Sequence, residues 1–288
     1  MHGMTRRQLL TAGAGAAVAA AAGWIRPATL LAEQSPIDRS IERYGGFRMG
    51  IQSYSLRHFD LETTIGHVAD MKLHWIEFYP RHFPVTQDRE RIAAVRRLLE
   101  PHHISMPVHG VHGFSGNAAR NRAIFEFAKK AGIGVLSAHP TDASFPILHD
   151  LVQEFDIRIG IHNHGPGHRF DRIEQSLEAV ERWDRRIGFC PDTGHYMRSG
   201  EDPVEAVEKL SGRLYGMHLK DHSRIARDNP PEAILGEGAM DLDAMCHAMR
   251  KAGFTGPISL EYERNPRDPI ADIRKGLANF ARAAQRTR

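Results

Sequence analysis

Cysteine is nearly absent: Cys190 and Cys246 are the only two in 288 residues. Neither belongs to a closely spaced pair, which argues against a cysteine-built metal site, and two cysteines allow at most one bridge, which an oxidising compartment would permit and the sequence does not decide. Cys190 ends an apolar run and Cys246 lies in an amphipathic stretch, so both are expected as small core residues. Long hydrophobic runs are missing too. The most continuous apolar segment, residues 9–22, is too short to span ~30 Å of hydrocarbon and consists mostly of weakly apolar Ala and Gly, so no stable membrane anchor is expected. Beyond residue 32 there is no block of like charge, no internal repeat and no low-complexity tract.

The first 32 residues have the layout of an export signal. Arg6-Arg7, with Gln8 and then Leu9-Leu10, precede an Ala/Gly run, and both the Ala20–Ala22 region and Ala32 end plausible small-residue cleavage sites. The paired arginines resemble the twin-arginine signal of bacteria, which implies a periplasmic or secreted protein. These residues hold three arginines and no acid, so the formal charge of +3 falls to zero beyond them. A neutral mature chain without a basic stripe is not expected to bind nucleic acid. Residues 33–46 read as a linker and 47–288 as one large domain with a single core.

From there the chain alternates short apolar runs with amphipathic stretches. Strands are predicted at 48–53, 74–79, 105–109, 134–139, 158–163, 187–192, 214–219 and 258–262. Helices are predicted at 61–71, 89–100, 117–130, 145–155, 171–183, 203–210, 242–251 and 270–284. Gly132, Gly212 and Gly253 follow helices, as C-cap glycines do, and Asp60 and Asp241 precede helices as N-caps. Eight strand–helix units suit an α/β fold, either a (β/α)₈ TIM barrel or a doubly wound sheet. The barrel is favoured because nearly every strand ends in a polar or ionisable residue: Gln52, Glu77, His109, His139, His162, Asp192, His218 and Glu261. Such barrels place their site at the C-terminal mouth of the strands. Residues 221–240, rich in Pro, Gly and charge, read as a loop over that mouth.

Side chains two apart on a strand share a face. His162 and His164 in "IGIHNHG" then point one way, His218 and Lys220 in "YGMHLKD" share a face, and Glu261 in "ISLEYE" shares its face with Ser259 and Glu263. With Asp192 of "CPDTGH", strands five to eight bring two imidazoles and two carboxylates to one point. Mixed N/O donors of this kind suit one borderline divalent ion, Mn²⁺, Co²⁺, Zn²⁺ or Fe²⁺. Asp192 has a second reading as the N-cap of a following helix.

"CPDTGH", "MHLKD", "LGEG" and "ISLEYE", in this order, resemble the xylose isomerase-like TIM barrels, specifically the sugar isomerase/epimerase group. The resemblance covers roughly residues 47–285, and the wider superfamily includes endonuclease IV. It implies a divalent metal held at the barrel mouth by Glu, Asp, His and Glu from successive strands. By position, Asp192, His218 and Glu261 match the last three. The fifth strand departs: the family commonly reads Glu-Asn-His where this chain reads His162-Asn163-His164, so His162 takes the place of a glutamate that serves ketose epimerases as one of two acid/base carboxylates. His109, His139 and the Asp192/His195 pair are similar to histidine positions of endonuclease IV, but the further Asp-x-His triplet of that enzyme is missing from 221–240.

The expected activity is that of a metal-dependent isomerase or epimerase acting through an enediolate on a small unphosphorylated carbohydrate or keto-sugar. Glu261 is the expected base, His162 or His164 its partner, and Lys220 an electrostatic helper. Glu77, His109, His139, His164 and His195 are expected to line the substrate pocket. The alternatives are a 3-keto-sugar or glycoside lyase or hydrolase, and a non-catalytic carbohydrate-binding protein. Tyr54, Phe78, Tyr79, Phe114 and Tyr196 read either as sugar-stacking or as packing aromatics, and Glu237 either as a mouth residue or as part of a turn.

Overall fold

Strands buried on both faces read as continuous apolar runs, and the main strands of this chain are built that way. The computed structural model describes residues 35–288; the export signal read in residues 1–32 lies outside the described residues. In chain order the strands are β1 (Arg48–Gln52), β2 (Trp75–Phe78), β3 (Ser105–Phe114), β4 (Val135–Pro140), β5 (Arg158–Ile161), β6 (Ile187–Phe189) and β7 (Met217–Leu219), then two short strands β8 (Asp221–His222) and β9 (Glu232–Ala233), and last β10 (Pro257–Leu260). Eight of them hydrogen-bond in the order β6-β5-β4-β3-β2-β1-β10-β7, every pair parallel. Parallel bridges Phe189–Leu214 and Asp192–His218 join the remaining two edges. The fold is an α/β TIM barrel.

The helices cover the outside: α1 (Pro36–Arg43), α2 (Leu61–Asp70), α3 (Arg89–Leu99), α4 (Ala118–Ala131), α5 (Phe145–Phe155), α6 (Ile173–Val180), α7 (Thr193–Met197), α8 (Pro203–Leu210), α9 (Leu242–Lys251) and α10 (Ile270–Arg286). Their starts are set by short polar caps. Asp60 accepts the Thr63 N–H at 2.7 Å, and Asp241 accepts those of Asp243 and Ala244 at 3.0 Å each. Gly132 ends α4 with a left-handed φ of +73°, a conformation that glycine adopts without steric strain. Gly212, expected in the same role, lies instead in a 3₁₀ turn after α8.

One segment departs from its reading. Residues 33–46 were expected as linker, yet α1 occupies 36–43. Ser35 caps it through Asp38, and Tyr44, fully buried at its end, rests 6.3 Å from Phe280 of α10. Buried aromatic area of this kind contributes on the order of 2 kcal/mol per side chain, enough to tie the segment down. Both cysteines are free and buried, as expected for core residues. No helix among the described residues is long and apolar enough to cross a membrane.

The excursion after β7 is itself ordered. β8 and β9 pair antiparallel, and the buried Asp221 carboxylate accepts the N–H groups of Gly236, Gly238 and Met240 at 2.9, 3.0 and 3.2 Å.

Candidate metal centre at the barrel mouth

Strands five to eight of the barrel end at one point. His162 follows β5, Asp192 follows β6, His218 is in β7 and Glu261 follows β10. One donor atom from each lies within 4.8 Å of all the others, and all four residues are buried. His162 Nε2 is 3.1 Å from His218 Nδ1 and 3.6 Å from Asp192 Oδ2, while His218 Nδ1 is 2.8 Å from Glu261 Oε2.

Asp192 fulfils both of its readings. Its Oδ1 accepts the His195 N–H at 2.8 Å and so caps α7, while Oδ2, fully buried, makes no hydrogen bond among the described residues. The backbone that carries it is clamped from β5: Asn163 Oδ1 accepts the Asp192 N–H at 2.7 Å, and its amide donates to the Asp192 carbonyl at 3.1 Å. This oxygen, beside two imidazole nitrogens and a second carboxylate, belongs to the donor set of a divalent-metal site.

Below this point Glu77 supports His218. The Glu77 carboxylate accepts from His218 Nε2 at 2.8 Å and from the hydroxyls of Ser259 and Ser137. Burial alone would raise the Glu77 carboxyl, but His218 and the two serines pull it down to about 2. The same partnership raises His218 against its own burial. Because Glu77 takes the Nε2 proton, Nδ1 is the nitrogen that His218 turns toward the cluster.

Lys220 supplies the positive charge. Its Nζ is hydrogen-bonded to Glu263 Oε1 and lies 3.4 Å from Asp192 Oδ2 and 3.6 Å from Glu261 Oε1, with only 2% of the residue exposed. Burial would lower its pKa; the three carboxylates more than offset that and keep the ammonium charged. Space for its stem comes from Gly194 of "CPDTGH", where a Cβ would sit 2.6 Å from Lys220 Cγ. Asp192, for its part, is held well below the usual carboxylate range, since His195, Lys220 and His162 overcome its burial.

On the opposite side stand neutral imidazoles. His195 packs against His164 at 5.3 Å and against His162 at 5.6 Å, and its buried Nδ1 has no partner. His139 and His164 meet through their Nδ1 atoms at 3.1 Å. Burial and neighbouring imidazoles push His164 down to about 3, and burial lowers His195 and His139 as well.

The other expected site residues divide by position. Glu77 lies beneath the cluster, and His139, His164 and His195 lie beside it. His109 is elsewhere: fully buried, its Nε2 faces the Phe83 carbonyl at 2.8 Å, its Nδ1 faces His112 Nε2 at 2.8 Å, and its ring meets Phe83 and Phe127 of α4. The structure thus puts it in the packing between β3 and the helices. Phe78, Phe114 and Tyr196 are core residues, and Glu237 pairs with Lys275 on the surface. Tyr54 and Tyr79, ring centroids 5.3 Å apart, remain half-buried. Sequence reasoning passed over Asn163, Ser137 and Glu232. Asn163 sat inside a quoted motif, and Ser137 shares its strand face with His139; Glu232, in an irregular loop, carried no signal.

This geometry agrees with what the chain is similar to. The family model described as xylose isomerase-like TIM barrel matches residues 65–283. The inosose dehydratase of Geobacillus thermodenitrificans is 27% identical over 135 residues, 41% of this chain and 45% of that protein. The chain spans about half the length of the curated relatives it matches. Among solved structures, a D-tagatose 3-epimerase-like protein superposes with a TM-score of 0.68 at 19% identity, covering 83% of this chain and 99% of the other. The IolI protein with a bound zinc atom superposes with a TM-score of 0.65 at 17% identity, covering 84% and 96%. Likeness at these identities is likeness of fold. With the family model spanning most of the barrel, the chain belongs to the xylose isomerase-like TIM barrel family.

Proposed function

We propose that this protein is a divalent-metal-dependent sugar isomerase or epimerase, exported from the cell, that acts on an unphosphorylated sugar or keto-sugar through an enediolate. The observation that carries the reading is the convergence of His162, Asp192, His218 and Glu261 within 4.8 Å beside a buried ammonium. The family and its fold neighbours, which include a D-tagatose 3-epimerase-like protein, support carbohydrate chemistry.

In this reading His162, Asp192, His218 and Glu261 hold one ion of the Mn²⁺, Co²⁺, Zn²⁺ or Fe²⁺ type. When bound, the ion supplies Lewis-acid polarisation of adjacent carbonyl and hydroxyl oxygens, which acidifies the neighbouring C–H. Glu261 is the base: Oε2 faces His218, and Oε1 is left to take the proton. Lys220, 3.6 Å from that oxygen, stabilises the negative charge that develops on the substrate. His164 and His195, kept neutral by burial, contact hydroxyls on the far side. Return of the proton from Glu261 to the adjacent carbon, with the hydroxyl proton passing to the former carbonyl oxygen, gives isomerisation; delivery of a different proton from the opposite face, by water or a second acid, gives epimerisation.

One observation favours a second reading, β-elimination. His162 stands where the family commonly has a glutamate, and Asp192 spends Oδ1 on its helix cap, so Glu261 is the only carboxylate of the four with an oxygen to spare. A site with one carboxylate base suits removal of one proton followed by loss of a β-hydroxyl or glycosyl group, and the inosose dehydratase relative supports such chemistry.

A solvent-deuterium screen of sugars and 3-keto-glycosides with metal-loaded protein separates the readings. Deuterium incorporated next to the carbonyl, with the sugar otherwise unchanged in mass, is the expected result. An unsaturated ketone absorbing in the ultraviolet identifies the lyase. Sugar bound without exchange or elimination reduces the protein to a carbohydrate-binding role and overturns the enzymatic reading.

A further inference from the structure

Lys220 is buried among three carboxylates, and among the described residues only the Glu263 side chain is hydrogen-bonded to its Nζ. How far the ammonium stands from Asp192 and Glu261 is therefore set by where Glu263 is held. Glu263 lies two residues beyond Glu261, after the end of β10, where no strand partner fixes the backbone. Two contacts from distant segments replace that ladder. Arg57 donates to the Glu263 carbonyl at 2.7 Å, and the Glu232 carboxylate accepts the Glu263 N–H through both oxygens, at 2.9 and 3.2 Å.

Glu232 is well placed for this because its own segment is rigid. It sits in β9 opposite His222, and the excursion around it is drawn onto the Asp221 carboxylate by three backbone N–H groups. An otherwise unremarkable loop thus delivers a largely buried carboxylate to the backbone of the residue that holds the site's ammonium.

We propose that Glu232 is a positioning residue: through the Glu263 backbone it fixes the Glu263 carboxylate, and through that carboxylate it holds Lys220 away from the Asp192 and Glu261 oxygens. The proposal rests on the metal-site reading above only for its effect on metal affinity; the placement of Lys220 is independent of it. Without Glu232, the Glu263 N–H loses its acceptor and the side chain loosens. The ammonium then has Asp192 and Glu261 as its remaining partners, moves onto them, and competes with a metal for the same oxygens. A loop residue outside the four-donor cluster then governs both the base and the ion.

Two readouts test this. In protein labelled with ¹⁵N at lysine Nζ, the Lys220 ammonium, identified by its loss in Lys220→Met, is expected to exchange its protons slowly in the wild type. Glu232→Gln keeps an acceptor for the Glu263 N–H and is expected to preserve that signal's position and exchange rate, whereas Glu232→Ala is expected to shift the signal and change its exchange rate as the ammonium moves onto Asp192 and Glu261. The second readout is Zn²⁺ affinity by chelator competition with no sugar present. Glu232→Ala is expected to weaken it about tenfold, within the range for loss of an outer-shell contact, and to have no further effect in a Lys220→Met background. An unchanged Lys220 signal in Glu232→Ala overturns the proposal, and so does an equal change in Glu232→Gln. An undiminished effect on zinc in the Lys220→Met background overturns the route through Lys220. A wild type that binds no zinc, or exchanges no sugar, defeats the functional reading and leaves the ammonium readout to decide the positioning role.

Discussion

His218 Nε2 and Glu77 Oε2 lie 2.8 Å apart at the floor of the barrel mouth, both residues almost wholly buried. Glu77 ends up among β2, β4, β7 and β10 because it reaches Ser137, His218 and Ser259 at once. This contact decides which imidazole nitrogen faces the candidate metal position. It also ties the donor set to the packed interior of the barrel.

Glu77→Gln leaves one acceptor oxygen for three donors. Metal affinity is expected to fall about 10- to 100-fold, the range for loss of a partner that orients a histidine ligand. Chelator competition against the wild type measures it, and unchanged affinity would show that Glu77 does not orient His218.

His162→Glu gives the fifth strand the carboxylate the family commonly carries there. It is expected to retain the metal and to raise the ratio of epimerised or isomerised product to eliminated product. Mass spectrometry of the products in deuterated water reads that ratio. An unchanged ratio would remove His162 as the residue that selects the reaction.

His109 predicts a pH dependence of stability rather than of activity. Burial between β3 and α4 pushes it down to about 4 from the ordinary 6.5. Above 6.5 both folded and unfolded chains hold it neutral, and its contribution is complete. As pH falls from 6.5 toward 4 the unfolded chain takes up a proton that the folded chain refuses, so stability drops, by about 2 kcal/mol between pH 7 and 5 for this one group. His109→Gln is expected to make that fall shallower in urea titrations at the two pH values.

Asp221→Ala strands three backbone donors beneath the excursion and is expected to destabilise by roughly 1–3 kcal/mol. Limited proteolysis should then cut within residues 223–236, where the wild type resists.

Much of this site was legible in advance because strand alternation is a strict rule. Ser259, Glu261 and Glu263 do share a face, as do His218 and Lys220, and the polar strand ends do mark the mouth. His109 misled because β3 runs on to Phe114, so the residue read as the polar end of that strand lies in its middle. The helix α1 hid in an apparent linker because its buried aromatic anchor, Tyr44, lies beyond its last residue. Glu232 was invisible for a different reason: its importance comes from a backbone N–H 31 residues away, and such a contact has no periodicity.

The most direct test is the metal content of the purified protein and of Asp192→Asn, a change that keeps an oxygen to cap α7 while removing the charge. One tightly held divalent transition ion per wild-type chain, lost or greatly weakened in Asp192→Asn while the fold persists, is the expected result. A wild type without such an ion after loading, or an Asp192→Asn variant that binds it equally well, would contradict the metal centre at its root.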